Sequence, residues 1–443
     1  MSEASNPSTT THGRLFDLVA NHKRALLIGT HESTREKEET AEFIEELASL
    51  CDTFGLEVAI KLPVPLRAID AATYIGKGKV EEIRQLCSEN KVDVVVFDNE
   101  ISPQQQRNLE DQIQILVVDR SELILGIFAA RAKTREAMIQ IELAECRYQL
   151  PRLKGRWAHL DRQGSGSSSG SGGGYSRGGG EQQIEIDRRL LKRRIDKLEE
   201  DLDEVKKHRE IQRRSRLRTG IPTFAIIGYT NVGKSTLMRH LTGSDVLVEN
   251  KLFATLDTTT RKFTLPNNQE ILLVDTVGFI RKLPHLLIAA FKSTLEEAMQ
   301  ADILLHIIDA SNPQAFAQAE ASQIVLKELG EENHPMITVL NKVDQCEQKI
   351  FVEKLKLSFP KTVEISAVTG EGIHLLLERM EKEISKLRTV VRLRVPQSDY
   401  AIVAEILKEG KVLSTQYEEN DILLEAEIPN QLNHKVERYK VAP

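Results

Sequence analysis

The chain has 443 residues, 40% of them hydrophobic, which is enough for two to four domains with real cores. A formal net charge of −6 excludes a nucleic-acid binder that is basic over its whole surface, so any such surface must be local. Four scattered cysteines (Cys51, Cys87, Cys146, Cys346) form neither a Cys-x-x-Cys pair nor a disulfide framework, and the eleven histidines show no metal-ligand spacing. That usage fits a reducing cytosol and argues against zinc. No apolar run is long enough to span a bilayer, and the polar, Ser/Thr-rich residues 1–11 lack the apolar core of a signal peptide. A cytoplasmic monomer is expected, touching membranes at most peripherally.

Residues 1–21 read as a disordered tail. From there to residue 120, strand and helix patterns alternate. Strands read at 24–29, 56–62, 92–97 and 115–119, with helices at 38–54, 79–89 and 103–110. This alternation predicts a small α/β domain over 22–120 with a largely parallel sheet. Inside it, Tyr74-Ile75-Gly76-Lys77-Gly78-Lys79 is a glycine- and lysine-rich turn ahead of a helix. It could hold a phosphate of a nucleotide or of RNA, or be a plain solvated turn.

The pattern then turns helical, and residues 121–218 read as a long hairpin. Ala137, Ile141, Ala144 and Tyr148 recur at helical spacing until Pro151 stops the helix. Residues 163–180, almost all Gly and Ser, have no core of their own and read as a flexible loop. A second helix is predicted from about 185 to 216. Its Leu191, Ile195, Leu198, Leu202 and Val205 follow a four-three spacing, a heptad seam that can pair antiparallel with the first helix. Arg156, Arg162, Tyr175 and Arg177 in and around the loop, with Arg188 and Arg189 at the helix start, are candidate RNA contacts, since Arg meets phosphates and Tyr stacks on bases.

Residues 221–388 form a nucleotide domain. The apolar run 224–227 leads into Gly228-Tyr229-Thr230-Asn231-Val232-Gly233-Lys234-Ser235, followed by a helical stretch. Strand, Gly-rich turn, helix is the context of a P-loop: backbone N–H groups cradle phosphates, Lys234 reaches the β- and γ-phosphates, and Ser235 holds Mg²⁺. Asp275-Thr276-Val277-Gly278 ends the apolar strand 271–275, where the Asp275 carboxylate can meet Mg²⁺ and the Gly278 amide a γ-phosphate. Asn341-Lys342-Val343-Asp344 ends another strand. A carboxylate there accepts two N–H bonds from guanine, a donor pair that adenine lacks, so GTP is favoured over ATP. Ser366-Ala367 completes the guanine cradle. Between these elements, Phe253-Ala254-Thr255-Leu256-Asp257 and the threonines Thr258, Thr259 and Thr260 read as a switch segment, in which several threonines compete to close over Mg²⁺. Further strands at 303–309, 336–340 and 362–365 complete a doubly wound sheet with its ligand at the strand C-terminal ends. Phe279 stands where related GTPases place a water-orienting glutamine; its ring can neither donate nor accept, so slow intrinsic hydrolysis is expected. Residues 389–443 read as a small C-terminal α/β layer.

Taken together, Tyr74 to Lys79, Phe97-Asp98-Asn99-Glu100, Thr134-Arg135-Glu136, Gly180-Glu181 with Gln183-Ile184-Glu185, Asp187-Arg188-Arg189 and the P-loop, switch and Asp275 to Phe279 elements resemble the HflX GTPases. The resemblance implies that Thr255 is the switch threonine and a Mg²⁺ ligand with Ser235, and that Lys234, Thr255, Asp275 and Gly278 carry catalysis. It implies binding to the large (50S) ribosomal subunit and its rRNA, splitting of stalled ribosomes under stress, and a second, ATP-related activity of the N-terminal domain. Asn231 resembles the position at which some GTPases recruit K⁺. Two departures stand out: Arg177-Gly178-Gly179-Gly180-Glu181 lacks the family's proline, and Asp257-Thr258-Thr259 replaces Asp-Pro-Thr. Other readings are an ATP-driven RNA remodeller working through Lys77 and Lys79, and a GTP-dependent regulatory adaptor.

Overall fold

The structure, a computed structural model, describes residues 23–33, 36–155, 177–217, 221–243, 252–253, 255–256, 258–282, 300–330, 334–346, 349–418, 420–429 and 432–441. They fall into two compact units: one holds residues 1–205, 249–257 and 282–292, and the other holds 206–248, 258–281 and 293–443.

In the first unit β1 (Arg24–His31), β2 (Glu57–Pro65), β3 (Val94–Phe97) and β4 (Leu116–Asp119) form a parallel sheet in the order β2-β1-β3-β4. The central strands are continuous apolar runs because both faces are covered, as parallel sheets require. Helices α1 (Glu36–Phe54), α2 (Lys77–Asn90) and α3 (Pro103–Ile113) supply the connections. Leu26, Ile28, Val95 and Phe97 meet Val80, Ile83 and Leu109 in one core. Helix α3 starts where its sequence dictates: the Ser102 hydroxyl accepts the Gln105 N–H, the Gln105 side chain accepts the Ser102 N–H, and Pro103 occupies the first turn. Helix α2 begins at Lys77 rather than 79, so Gly76 is its cap and Lys77, Gly78 and Lys79 lie in the first turn. Lys79 there pairs with Glu82 at 2.7 Å.

Helices α4 (Arg120–Arg131) and α5 (Arg135–Gln149) divide at residues 132–134, where Thr134 accepts the Ala137 N–H and caps α5. Helix α6 runs from Arg177 to Leu217, eight residues further toward the N-terminus than the sequence pattern indicates; a glycine-rich stretch masks a helix start. The expected heptad seam packs: Leu198 and Leu202 are buried against Ile139, Leu143 and Cys146, with Leu191, Ile195 and Val205 half-buried beside them. Arg194 grips Glu142 through two bonds of 2.6 and 2.8 Å, and Arg147 meets Glu199 at 2.6 Å, which ties the two helices together beside the seam. The loop reading for 163–180 lies outside the described residues up to 176.

In the second unit, β5 (Thr223–Gly228), β6 (Thr259–Thr264), β7 (Glu270–Asp275), β8 (Ile303–Asp309), β9 (Met336–Asn341) and β10 (Thr362–Glu364) form one sheet in the order β10-β9-β8-β5-β7-β6. Only β6 runs antiparallel. It falls partly on the threonine run read as a switch; its half-exposed residues give no apolar signal, as befits an edge strand. Helices α7 (Lys234–Thr242), α8 (Ala315–Glu328) and α9 (Lys349–Ser358) lie between these strands in the chain, and α10 (Ile373–Lys386) follows β10. β11 (Arg388–Pro396), β12 (Lys411–Glu418) and β13 (Asp421–Pro429) then make an antiparallel sheet backed by α11 (Tyr400–Glu409). The architecture is thus a P-loop GTPase doubly wound sheet, preceded by a small α/β domain with a helical hairpin and followed by a small α/β layer. Among the described residues no helix is long and apolar enough to cross a membrane.

Candidate functional site

β5 is buried from Phe224 onward, and its last residue, Gly228, turns the chain at φ +145° against β8, where a Cβ would strike the Ile307 carbonyl. The loop continues through Asn231 at φ +62°, a conformation Asn tolerates better than most residues, and Gly233 at φ +96°. Buried Val232 anchors it from below. Helix α7 then begins at Lys234 with its free N–H groups facing the loop. A positive, amide-lined hollow results, the seat of a phosphate chain.

Lys234 is buried, and its Nζ donates to the carbonyls of Gly228 (3.2 Å) and Tyr229 (2.6 Å). Burial pulls its pKa down to about 8, against the opposing pull of Asp275, so it remains charged at neutral pH. The hydroxyl of Thr230 is buried and makes no hydrogen bond among the described residues. A buried polar atom without a partner is costly, and a phosphate oxygen would satisfy it. Ser235 Oγ donates to Asp275 Oδ2 at 2.9 Å. These adjacent hard oxygens fit Mg²⁺, which takes one or two protein oxygens and completes its shell with phosphates and water.

Asp275 closes β7 and is fully buried, as is Thr276, whose hydroxyl donates to the Ile226 carbonyl at 2.7 Å. Val277 follows, buried. Gly278 packs so closely that an added Cβ would lie 2.8 Å from Lys234 Nζ and 2.9 Å from Thr230 Cα. The Phe279 ring is buried at 2% exposure, so it reaches no water at the site's mouth.

The base end is built around Asn341 at the tip of β9. Its Nδ2 donates to the Val232 carbonyl at 2.7 Å, and its Oδ1 accepts the Ala367 N–H at 2.9 Å. One buried side chain thus ties the P-loop to the loop after β10. Lys342, at φ +64°, pairs with Asp309 at 2.6 Å; Val343 packs in the core under that loop. Asp344 is left exposed, as an acceptor for a ligand's N–H groups should be. Ser366 Oγ accepts the Thr369 N–H at 3.2 Å and so shapes the loop that carries Ala367.

The second unit therefore brings together residues 228–235, 275–279, 341–344 and 366–367. Phe253, Thr255 and Leu256 of the switch reading belong instead to the first unit, and Ala254 and Asp257 lie outside the described residues. Phe253 is buried at φ +53°, edge-on to Phe128 at 4.6 Å, with its carbonyl accepting from Arg131 at 2.8 Å. Of the RNA candidates, Arg156, Arg162 and Tyr175 lie outside the described residues, and Arg177 opens α6. Arg188 and Arg189 are exposed on α6, Arg189 pairing with Glu185 at 3.2 Å. Sequence reasoning missed Asp309, the partner of Lys342, and the structural use of the Tyr229 hydroxyl. Asp309 carried a signal, an acid at the C-terminal end of a central strand.

Comparison with known proteins decides the family. Residues 41–129 match the family described as GTP-binding GTPase N-terminal, 131–216 the GTP-binding GTPase middle region, and 223–342 the 50S ribosome-binding GTPase. A GTPase HflX of Chlamydia pneumoniae is 46% identical over 427 residues, which covers 96% of this chain and 90% of that protein. The chain belongs to the HflX GTPase family. HflX GTPases of Caldanaerobacter subterraneus (41% identical, 96% of each chain) and Escherichia coli K12 (39%, 87% of this chain and 88% of that protein) extend the match. As an HflX GTPase, the protein binds GTP and GDP and hydrolyses GTP, and the pocket described above is the one P-loop site among the described residues with a guanine cradle.

Proposed function

We propose that this HflX GTPase is a GTP-driven switch that binds the large ribosomal subunit and splits or rescues stalled ribosomes under stress. The observation that carries the reading is the match of residues 223–342 to a 50S ribosome-binding GTPase family, in the same chain as a helical hairpin with arginines at its loop end. An elongated two-helix arm with exposed Arg188 and Arg189 suits contact with rRNA phosphates. The proposed division is an N-terminal domain over 22–120, the hairpin over 121–218, the GTPase domain over 221–388 and a C-terminal domain over 389–443.

In this reading Lys234 neutralises the β- and γ-phosphates, Gly278 offers its N–H to the γ-phosphate, and Thr255 closes over the site. Asp344 reads guanine while Asn341, Ser366 and Ala367 hold the cradle in shape. Ser235, Asp275 and Thr255 would hold Mg²⁺, which supplies charge neutralisation between the phosphates. Asn231 would add a K⁺ contact, giving faster turnover in KCl than in NaCl. With Phe279 buried and no glutamine to orient water, the isolated protein turns over slowly and the ribosome accelerates it. The protein works in the cytoplasm as a monomer. Light scattering of 70S ribosomes mixed with the protein tests the reading. Dissociation into subunits is expected with GTP and not with GDP; intact 70S particles in both would overturn it.

A further inference from the structure

The pocket contains a contact that phosphate binding does not explain. Beyond β7 the chain does not leave the sheet. Phe279 N–H donates to the Gly228 carbonyl at 3.0 Å, and the Thr230 N–H donates to the Phe279 carbonyl at 2.7 Å, so the P-loop and the segment after Asp275 pair as a short parallel ladder. The Tyr229 hydroxyl, on a buried ring, accepts the Arg281 N–H at 2.7 Å and fastens the far end. Three hydrogen bonds thus hold residues 279–281 on the P-loop.

This pairing places Gly278 against Lys234 Nζ and Thr230, with no room for even one extra carbon. The β-phosphate of either nucleotide meets Nζ from the P-loop side, whereas a γ-phosphate lies beyond it, on the side of Nζ that Gly278 occupies. The Thr230 amide is also taken, so the loop offers one N–H fewer to an anion. The ladder and a γ-phosphate compete for the same place.

We propose that Tyr229 is a positioning residue that sets the preference between GTP and GDP: its hydroxyl holds residues 278–281 in the seat of the γ-phosphate. GTP binds only when this latch opens, and GDP binds with it closed. A ligand confined to one of two states has its apparent affinity reduced by the population of the other. The latched state dominates the free protein, so weakening the latch moves the GTP-to-GDP affinity ratio directly. The inference rests on GTP binding at this site and is independent of the ribosomal reading.

The test is Tyr229→Phe, which keeps the buried ring and removes the hydroxyl that accepts the Arg281 N–H. Loss of one hydrogen bond of ordinary strength should raise the ratio of affinities for a non-hydrolysable GTP analogue and GDP about fivefold. A ratio unchanged within twofold, whatever happens to either affinity alone, overturns the proposal. In the wild-type full chain, amide hydrogen exchange at Phe279 and Arg281 should be slow with GDP and faster with the analogue. Equal exchange in the two states also overturns it, even if the variant does not fold, and GDP binding in the same samples shows that the nucleotide site is intact.

Discussion

Asn341→Ala removes a side chain that ties the P-loop to the base end of the nucleotide pocket. The residue is 2% exposed, and it makes a donor bond to Val232 and an acceptor bond from Ala367. Truncation leaves a buried carbonyl and a buried N–H without partners. Each orphan costs about 1–3 kcal/mol, but the pocket is open to water on its ligand side, so the lower half of that range applies and the sum is about 3 kcal/mol. Because these bonds shape the loops that grip nucleotide, most of the loss should appear in binding, as roughly a hundredfold fall in GDP affinity. Asn341→Asp should be at least as damaging, since it keeps the acceptor for Ala367 yet turns a carboxylate oxygen toward the Val232 carbonyl. Titration with a fluorescent GDP analogue measures both. Affinity within threefold of wild type for a folded Asn341→Ala protein would refute the claim that this residue organises the pocket.

Three other groups in the structure give measurable outcomes. Burial holds Lys234 at a pKa of about 8 in the free protein, and phosphate contact raises it; GDP affinity should therefore fall about tenfold per pH unit above pH 8, with proton uptake on binding seen by calorimetry in buffers of different ionisation enthalpy. His306 is fully buried on β8 with neither ring nitrogen hydrogen-bonded among the described residues, and burial first, then the Lys234 charge, depress its pKa to about 4. Its folded pKa lies below the unfolded one, so the unfolded chain takes up the proton first and stability falls as pH drops from about 6.5 to 4. His306→Leu should shrink the stability loss between pH 7 and pH 5 by about 2 kcal/mol in denaturant titrations, and an unchanged loss would count against the assignment. Leu198→Ala empties a site buried against Ile139, Leu143 and Cys146; about 3 kcal/mol of hairpin stability should disappear in thermal melts of the full chain, whereas a change below about 1 kcal/mol would show that the seam is not packed.

Most of this was legible because each reading joined two independent signals. The P-loop was a Gly-rich turn set between an apolar strand and a helix, and the hairpin was a heptad seam on its second helix; the first helix meets that seam through Ile139, Leu143 and Cys146 rather than through the Ala137, Ile141, Ala144 and Tyr148 spacing read from its sequence. What escaped lay where local pattern and tertiary use diverge. β6 is an edge strand of threonines and cations, with no buried face to mark it. Helix α6 begins in a glycine-rich stretch that propensity assigns to a loop. The Tyr229 hydroxyl makes its bond to an amide 52 residues away, a pairing that only the sheet topology creates. Asn341 was readable as part of a guanine motif, but its bond to the P-loop was not, because one side chain's two ends serve two loops that are remote in sequence.

Sedimentation with purified 50S subunits tests the central claim most directly. The full chain should cosediment with 50S in a non-hydrolysable GTP analogue and stay largely in the supernatant with GDP. Equal binding in the two states, or none in either, would contradict the account.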